Sequence, residues 1–448
     1  MSRYRDGGAW RNFAERTESI PVRDAPPHAL TIRETVRGPI VNALIPSVEE
    51  HGDPPLSLRW VGTEHIDDLR AGVSLSRAKD WDGFRNALRD WSIAVFNFVY
   101  ADAAGNVGYQ MAGRVPVRGR ITFGFRDAEN TEDAWRGTIP FDELPHAFNP
   151  KSGSVASANQ RIVGDDFPHP IYGAYSQGHR GARLAEVLGA ASKSDPAATI
   201  ALQNDVTSSR AVRMVPHIVA LLASADDPDV ALVRDALAAW DGRYELYGDA
   251  PTIFETFMAQ WQRTVLGAIL PPRLVDLCMQ QTGLATTLLE QPETSYFDGG
   301  TAEQAADAAR RSVAVLRERL GADRSAWAWG RLHLAHWRHP LSTPATAAAF
   351  DIGPAPVNGG SHTIRNTGGE LPPHGATSGA EYRIVFDFAQ PDRFLAVQNI
   401  GNSGVPGSRH YRDQFEPWLN GTYHTVHLTR AGVEADRESM TNVLPAPG

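Results

Sequence analysis

Along the chain the apolar positions change period twice, dividing it into strand-rich, helical and again strand-rich stretches. From Ala29 to Leu75, β-branched residues broken by Gly and Pro, as in LTIRETVRGPIVNALIP, predict short strands and turns. Trp81, Phe84, Leu88 and Trp91 recur every three or four residues behind Ser76, which predicts one amphipathic helix over 76–91. The run FNFVYADAAGNVGY at 96–109 reads as two strands about an Ala-Gly-Asn turn, and short strands and loops are expected over 121–164. Beyond His179 the Ala/Leu-rich segments 182–190, 212–223, 230–240, 251–270 and 303–320 predict helices jointed by Pro, Asp and Gly. After Pro340 the segments 382–388 and 394–400 read as strands, with a Gly/Pro-rich loop over 351–379. The first ten residues, MSRYRDGGAW, read as polar loop without strand or helix. The fold class expected is α+β, with helices inserted between two halves of a sheet system.

Composition narrows the function classes. The 448 residues are 42% hydrophobic, 9% aromatic and 21% charged, a composition that folds. Forty-three basic against 52 acidic residues give a net charge of −9, which argues against a nucleic-acid partner. No apolar run approaches the roughly 18 residues of a membrane span, so no membrane partner is expected. Cys278 is the only cysteine, which excludes an internal disulfide and a Cys-based metal cluster. Only Lys79, Lys151 and Lys193 are lysines, a bias read as genomic rather than functional.

Several local constellations have chemical potential. Ser408, His410 and Asp413 in GSRHYRDQ resemble a compressed triad, but spacings of two and three residues rarely aim all three at one point. His333, His336 and His339 in HLAHWRH would place the first two on one helical face, as in a metal site. With no carboxylate in the segment, packing is the favoured role. Asp165 and Asp166 could hold a cation or simply be solvated. There is no phosphate-binding loop, dinucleotide fingerprint or nucleophile elbow.

An ordered set of segments says more. TVRGPI at 35–40, NFVYADAAGNVGY at 97–109, ASANQRIVGDDFP at 156–168, RGARLAEVL at 180–188, LQNDVTS at 202–208, AWDGRY at 239–244 and GNSGVPGSRHYRDQFEPWLNGTYHTVHLTR at 401–430 follow one another along nearly the whole chain. Together they resemble the penicillin acylase family of N-terminal-nucleophile hydrolases. Arg37 stands where the family usually has His, and Gln160 where a second Asn is common.

The resemblance implies an αββα sandwich, here incomplete, with a large helical insertion. Residues 1–190 would be its strand-rich part carrying Asn159 and Arg183, 191–345 the helical insertion, and 346–448 the strand-rich return. It also implies hydrolysis of an acyl amide, such as a β-lactam side chain or an N-acyl homoserine lactone. A serine freed at a chain terminus would attack, with its own amine as base. Asn159 would serve the oxyanion hole and Arg183 would orient amine and substrate.

Only about 35 residues precede TVRGPI. The nucleophile strand and the small chain of the precursor are therefore expected to lie outside this sequence, as partners of it. Ser2, exposed as a terminus if Met1 were removed, is not followed by a strand-like run. No cofactor is expected: calcium is usual in the family, but where the large chain would contribute a ligand the sequence reads HPIYG, 169–173. An export signal would lie on the missing start, leaving the compartment open, periplasmic or secreted if the precursor is exported. The alternatives are a catalytically inactive relic that binds acyl amides and a metal hydrolase using His333 and His336.

Overall fold

The structure is a computed structural model and describes residues 3–45, 54–64, 66–120, 124–173, 175–191, 193–279, 282–369 and 375–442. Two compact units are present. One is Met1–Ser157 with Arg161–Tyr175; the other is Ala158–Gln160 with Ser176–Gly448. Both mix helix and strand, as an α+β chain should.

The first unit corrects the expectation of an unstructured start. Arg3–Asp6 pairs antiparallel with Ala9–Asn12 across Gly7 and Gly8, both at positive φ (57° and 83°). Two glycines there allow a tight primed turn that any Cβ would strain, and the turn folds a polar segment back on itself. A longer antiparallel pair follows, Ala14–Val22 with Ala25–Thr35. Cross-strand charges meet on it, Arg33 with Glu15 (3.0 Å) and Arg16 with Glu34 (3.4 Å). Every residue of Ala14–Val22 is exposed. The one helix expected over 76–91 is present but shorter, Trp81–Leu88, and a further helix, Asp68–Leu75, forms at the end of the stretch read as strands and turns. Asp80 starts Trp81–Leu88 by accepting the Gly83 N–H (2.8 Å), so the apolar spacing was right and the cap was not Ser76.

Phe96–Ala101 and Val107–Ala112 form the expected hairpin, and His146–Phe148 adds a third strand beside Val107–Ala112. Trp81 stacks on Phe148 at 5.0 Å and lies over Gly108, where a Cβ would come within 2.4 Å of its ring. Met111, Val115, Ile139, Leu144 and Ile171 make the neighbouring apolar cluster.

In the second unit the long helices appear where the periodicity placed them: His179–Ala190, Ser209–Leu221, Pro228–Ala238, Ala250–Gly267 and Thr301–Leu320. Ser208 accepts from the Ala211 N–H and Asp227 from Asp229 and Val230, capping two of them. Phe254, Phe257 and Trp261 of Ala250–Gly267 are fully buried in one cluster with Ala305, Ala308 and Ala309 of Thr301–Leu320. Shorter helices over Pro196–Gln203, Pro272–Cys278 and Gly283–Glu290 had no separate periodic signal. The first of them nevertheless carries a legible start, Asp195 before Pro196.

The expected strands at 382–388 and 394–400 are present as Tyr382–Val385 and Arg393–Gln398, joined by His424–His427 in an antiparallel sheet. The helical reading of HLAHWRH is wrong. Leu334–Trp337 is a strand paired with Ile352–Pro356, so strand pairing overrides a spacing that also fits a helix.

Candidate active site

Asn159 sits in a tight turn against the start of the helix His179–Ala190. Its φ is +65°, in the left-handed region that Asn tolerates better than most residues. Three hydrogen bonds hold the turn. The Ser176 N–H donates to the Asn159 carbonyl (2.8 Å), the Ser176 hydroxyl to the Ala158 carbonyl (3.0 Å), and the Ala158 N–H to Gln160 Oε1 (2.7 Å). On the helix, Gly181 lies so close that a Cβ would sit 2.8 Å from the Gln160 carboxamide carbon; its absence lets helix and turn close together.

Arg180 Nη2 donates to Asn159 Oδ1 at 2.8 Å. A guanidinium can only donate, so this contact assigns the oxygen end of the carboxamide. Asn159 Nδ2 is then a hydrogen-bond donor with no partner among the described residues, on an exposed residue.

Arg183 lies one turn along the helix from Arg180, on the same face. Its Nε donates to Asp205 Oδ2 (2.6 Å) and its Nη1 to Glu186 Oε1 (2.7 Å), which fixes the plane of the guanidinium. Asp205 is pinned in turn, for its Oδ1 accepts the Thr207 N–H (2.8 Å). Burial pushes the Asp205 carboxyl up, but the Thr207 N–H and hydroxyl and the Arg183 guanidinium outweigh it, leaving its pKa below the ordinary value. The same loop is tied inward where the Arg365 N–H donates to the Asp205 carbonyl (2.9 Å). The helix start thus presents a neutral N–H donor beside one guanidinium, with a second, carboxylate-paired guanidinium a turn away. Such a group suits a carbonyl oxygen that gains negative charge.

Sequence reasoning singled out Asn159 and Arg183 but not Arg180 or Asp205, although both stood in quoted segments, RGARLAEVL and LQNDVTS. It also missed a pair of histidines. The His179 and His362 rings meet edge to face at 5.5 Å. Burial, then Arg210, depresses both pKa values, to about 4 for His179 and about 3 for His362. Arg213 adds to this at His179 and Arg180 at His362, while Glu290 and Glu255 oppose.

Both rings are neutral near pH 7. As pH falls below about 6.5 the unfolded chain takes up protons that the folded chain refuses, so stability is lost on acidification toward pH 4. The expected slope is up to roughly 1.4 kcal/mol per pH unit for each imidazole. Urea unfolding midpoints across pH 7 to 4 measure it, and His362→Asn should flatten the profile by one proton.

The other constellations do not assemble. His410 Nδ1 meets Asp413 Oδ2 at 2.6 Å, but its Nε2 accepts from Arg409 (3.0 Å), and the Ser408 hydroxyl oxygen is used by the His410 backbone N–H (3.1 Å). No triad forms there. His333 is buried, stacked on Trp329 at 4.5 Å and bonded to Thr367 Oγ1 (3.0 Å), while His336 Nε2 is 3.5 Å from Asp351. Asp165 pairs with Arg161 (2.5 Å). Arg37, in the position of the family's usual His, pairs with Asp6 (2.8 Å) and donates to the Ala128 carbonyl (2.9 Å). Ser2 lies outside the described residues.

The residues at 169–173 do not fit calcium, because their one imidazole, His169, is bonded to Glu143 (2.5 Å) and no carboxylate stands among them. Among the described residues no three His, Cys, Asp or Glu side chains converge on a metal position. No helix among them is long and apolar enough to cross a membrane.

Comparison with known proteins extends these findings. The family model described as penicillin amidase matches residues 2–435. An acyl-homoserine lactone acylase, QuiP, of Pseudomonas fluorescens is 27% identical over 94% of this chain and 54% of its own length. A penicillin acylase 2 proenzyme of a Pseudomonas species is 29% identical over 99% of this chain and 58% of its own length. The chain therefore spans a little over half the length of these curated relatives. A solved structure, a thermostable penicillin G acylase from Alcaligenes faecalis, superposes on the whole chain and 84% of its own with a TM-score of 0.74 at 20% identity, a likeness of fold. With the family model matched over nearly the whole sequence, the chain belongs to the penicillin amidase family.

Proposed function

We propose that the chain is the oxyanion-binding and substrate-orienting part of an acyl-amide hydrolase, with a β-lactam side-chain amide or an N-acyl homoserine lactone as the class of substrate. The observation that carries the reading is the Nδ2 donor of Asn159, without a partner among the described residues, set in a strained turn and aimed by a cation bonded to its oxygen. The tetrahedral intermediate would place its oxyanion on that N–H. Arg183, its plane fixed by Asp205 and Glu186, would bind and orient substrate through Nη2, which has no hydrogen bond among the described residues.

The nucleophile in this reading is a serine on a segment outside these 448 residues. Ser176, beside Asn159, spends its hydroxyl on the Ala158 carbonyl. Apolar strand positions in the unit that holds Asn159 support a further segment packing on it: Tyr382 and Ile384 are 52% and 43% exposed. Exposed apolar side chains side by side on a strand face mark a surface that another segment can cover. The relatives, nearly twice as long and in one case named a proenzyme, supply the precedent.

The test is co-expression of the chain with the preceding coding segment, assayed on an acyl-homoserine lactone and a penicillin. Release of the free amine or amino-lactam, dependent on a serine in that segment, is expected. Stoichiometric ligand binding without any hydrolysis in the assembled protein would favour the inactive relic instead.

A further inference from the structure

The two arginines at the start of the helix His179–Ala190 are not equivalent. Arg183 is neutralised by Asp205 and Glu186. Arg180 has no carboxylate partner among the described residues, and burial alone lowers its pKa. Its described hydrogen bond goes to Asn159 Oδ1, at 2.8 Å. An unneutralised, partly desolvated cation therefore spends itself on a neutral carboxamide, an arrangement that folding stability alone does not favour.

We infer that Arg180 is a positioning residue for Asn159, holding the carboxamide with its N–H face outward and strengthening that N–H as a donor. The inference rests on the reading of Asn159 as the oxyanion donor. Two physical effects carry it. Rotating the carboxamide by half a turn would bring Nδ2 against the Arg180 N–H, donor against donor, and would point Oδ1 at the place where an oxyanion forms. With Arg180 present that rotamer is excluded; without it both orientations are open, and one of them repels the intermediate. The second effect is polarisation: a charge-assisted bond on Oδ1 draws electron density from Nδ2 and makes its hydrogens better donors. The backbone side of the turn is already fixed by Ser176 and Gln160, so the carboxamide flip is the freedom left for Arg180 to remove.

Two readouts test this, one of them independent of turnover. In the 448-residue chain labelled with 15N-asparagine, the Asn159 side-chain amide is assigned by its loss in Asn159→Ala. Arg180→Met is expected to move that signal and speed its solvent exchange, and Arg180→Lys to restore it in part. An unchanged signal in Arg180→Met overturns the inference. In the assembled enzyme, Arg180→Met is expected to lower kcat by about 10²-fold, with KM within about a factor of two. The double variant with Asn159→Ala should be no slower than Asn159→Ala alone, because Arg180 acts through Asn159. Losses that multiply, or a loss confined to KM, overturn the inference. If Asn159→Ala itself keeps full kcat, the oxyanion reading fails separately, and the amide signal still decides whether Arg180 orients the side chain.

Discussion

Asn159→Ala is expected to cut kcat of the assembled enzyme by about 10²–10³-fold, roughly 3–4 kcal/mol of transition-state stabilisation, with little change in KM. The asymmetry follows from what the Nδ2 donor would do in the proposed function. A ground-state carbonyl is neutral and gains little from one more hydrogen bond, whereas the oxyanion needs a donor already in place. The turn puts it in place at a cost in backbone strain, φ +65° held by Ser176 and Gln160. Asn159→Asp is the informative companion. Aspartate also tolerates the left-handed region and would pair with Arg180, so the turn survives, but an ionised carboxylate donates nothing and repels an oxyanion. Steady-state kinetics should show a loss for Asp at least as large as for Ala. An Asp variant that stays active would remove Asn159 from the chemistry.

Phe257→Ala is expected to destabilise the chain by about 3–5 kcal/mol, through lost burial and the cavity left behind. Phe257 is fully buried on the helix Ala250–Gly267, which buries 13 of its 18 residues. Its cluster includes the alanine face of Thr301–Leu320, where Ala305, Ala308 and Ala309 allow the helices to approach closely. Trp261 stiffens the same helix by donating its indole N–H to the Ala285 carbonyl (2.8 Å), so the surroundings have little freedom to collapse into the void. The measurement is the urea midpoint at constant slope. Leu277→Ala, at a side chain 73% exposed, should stay within about 0.5 kcal/mol and serves as the contrast.

That helix was also the most legible part of the sequence. A run of apolar residues at helical spacing over 251–270 leaves few alternatives, and the helix found is Ala250–Gly267. The first ten residues were illegible for the opposite reason. Their strands carry Arg, Asp and Asn with no apolar alternation, and the hairpin depends on two glycine dihedrals and on partners across the turn. HLAHWRH failed because a spacing of three fits a helix as well as it fits nothing in particular. The pairing of Leu334–Trp337 with Ile352–Pro356 that decides it lies across a loop.

The site divides in the same way. Asn159 and Arg183, the residues of the proposed chemistry, could be singled out because they stand in motifs whose order along the chain resembles one family. Arg180 stood three residues from Arg183 and was passed over, since its significance lies in which atom of Asn159 it touches. The His179–His362 contact joins a helix start to a glycine-rich loop far along the chain and leaves no local signature.

The proposed function has this chain supply the oxyanion donor while the attacking serine comes from elsewhere. Its most direct test is hydrolysis of a chromogenic acyl amide by the purified 448-residue chain alone, wild type beside Ser2→Ala. Neither protein is expected to exceed the uncatalysed rate. Robust turnover by the wild-type chain that disappears in Ser2→Ala would contradict the claim.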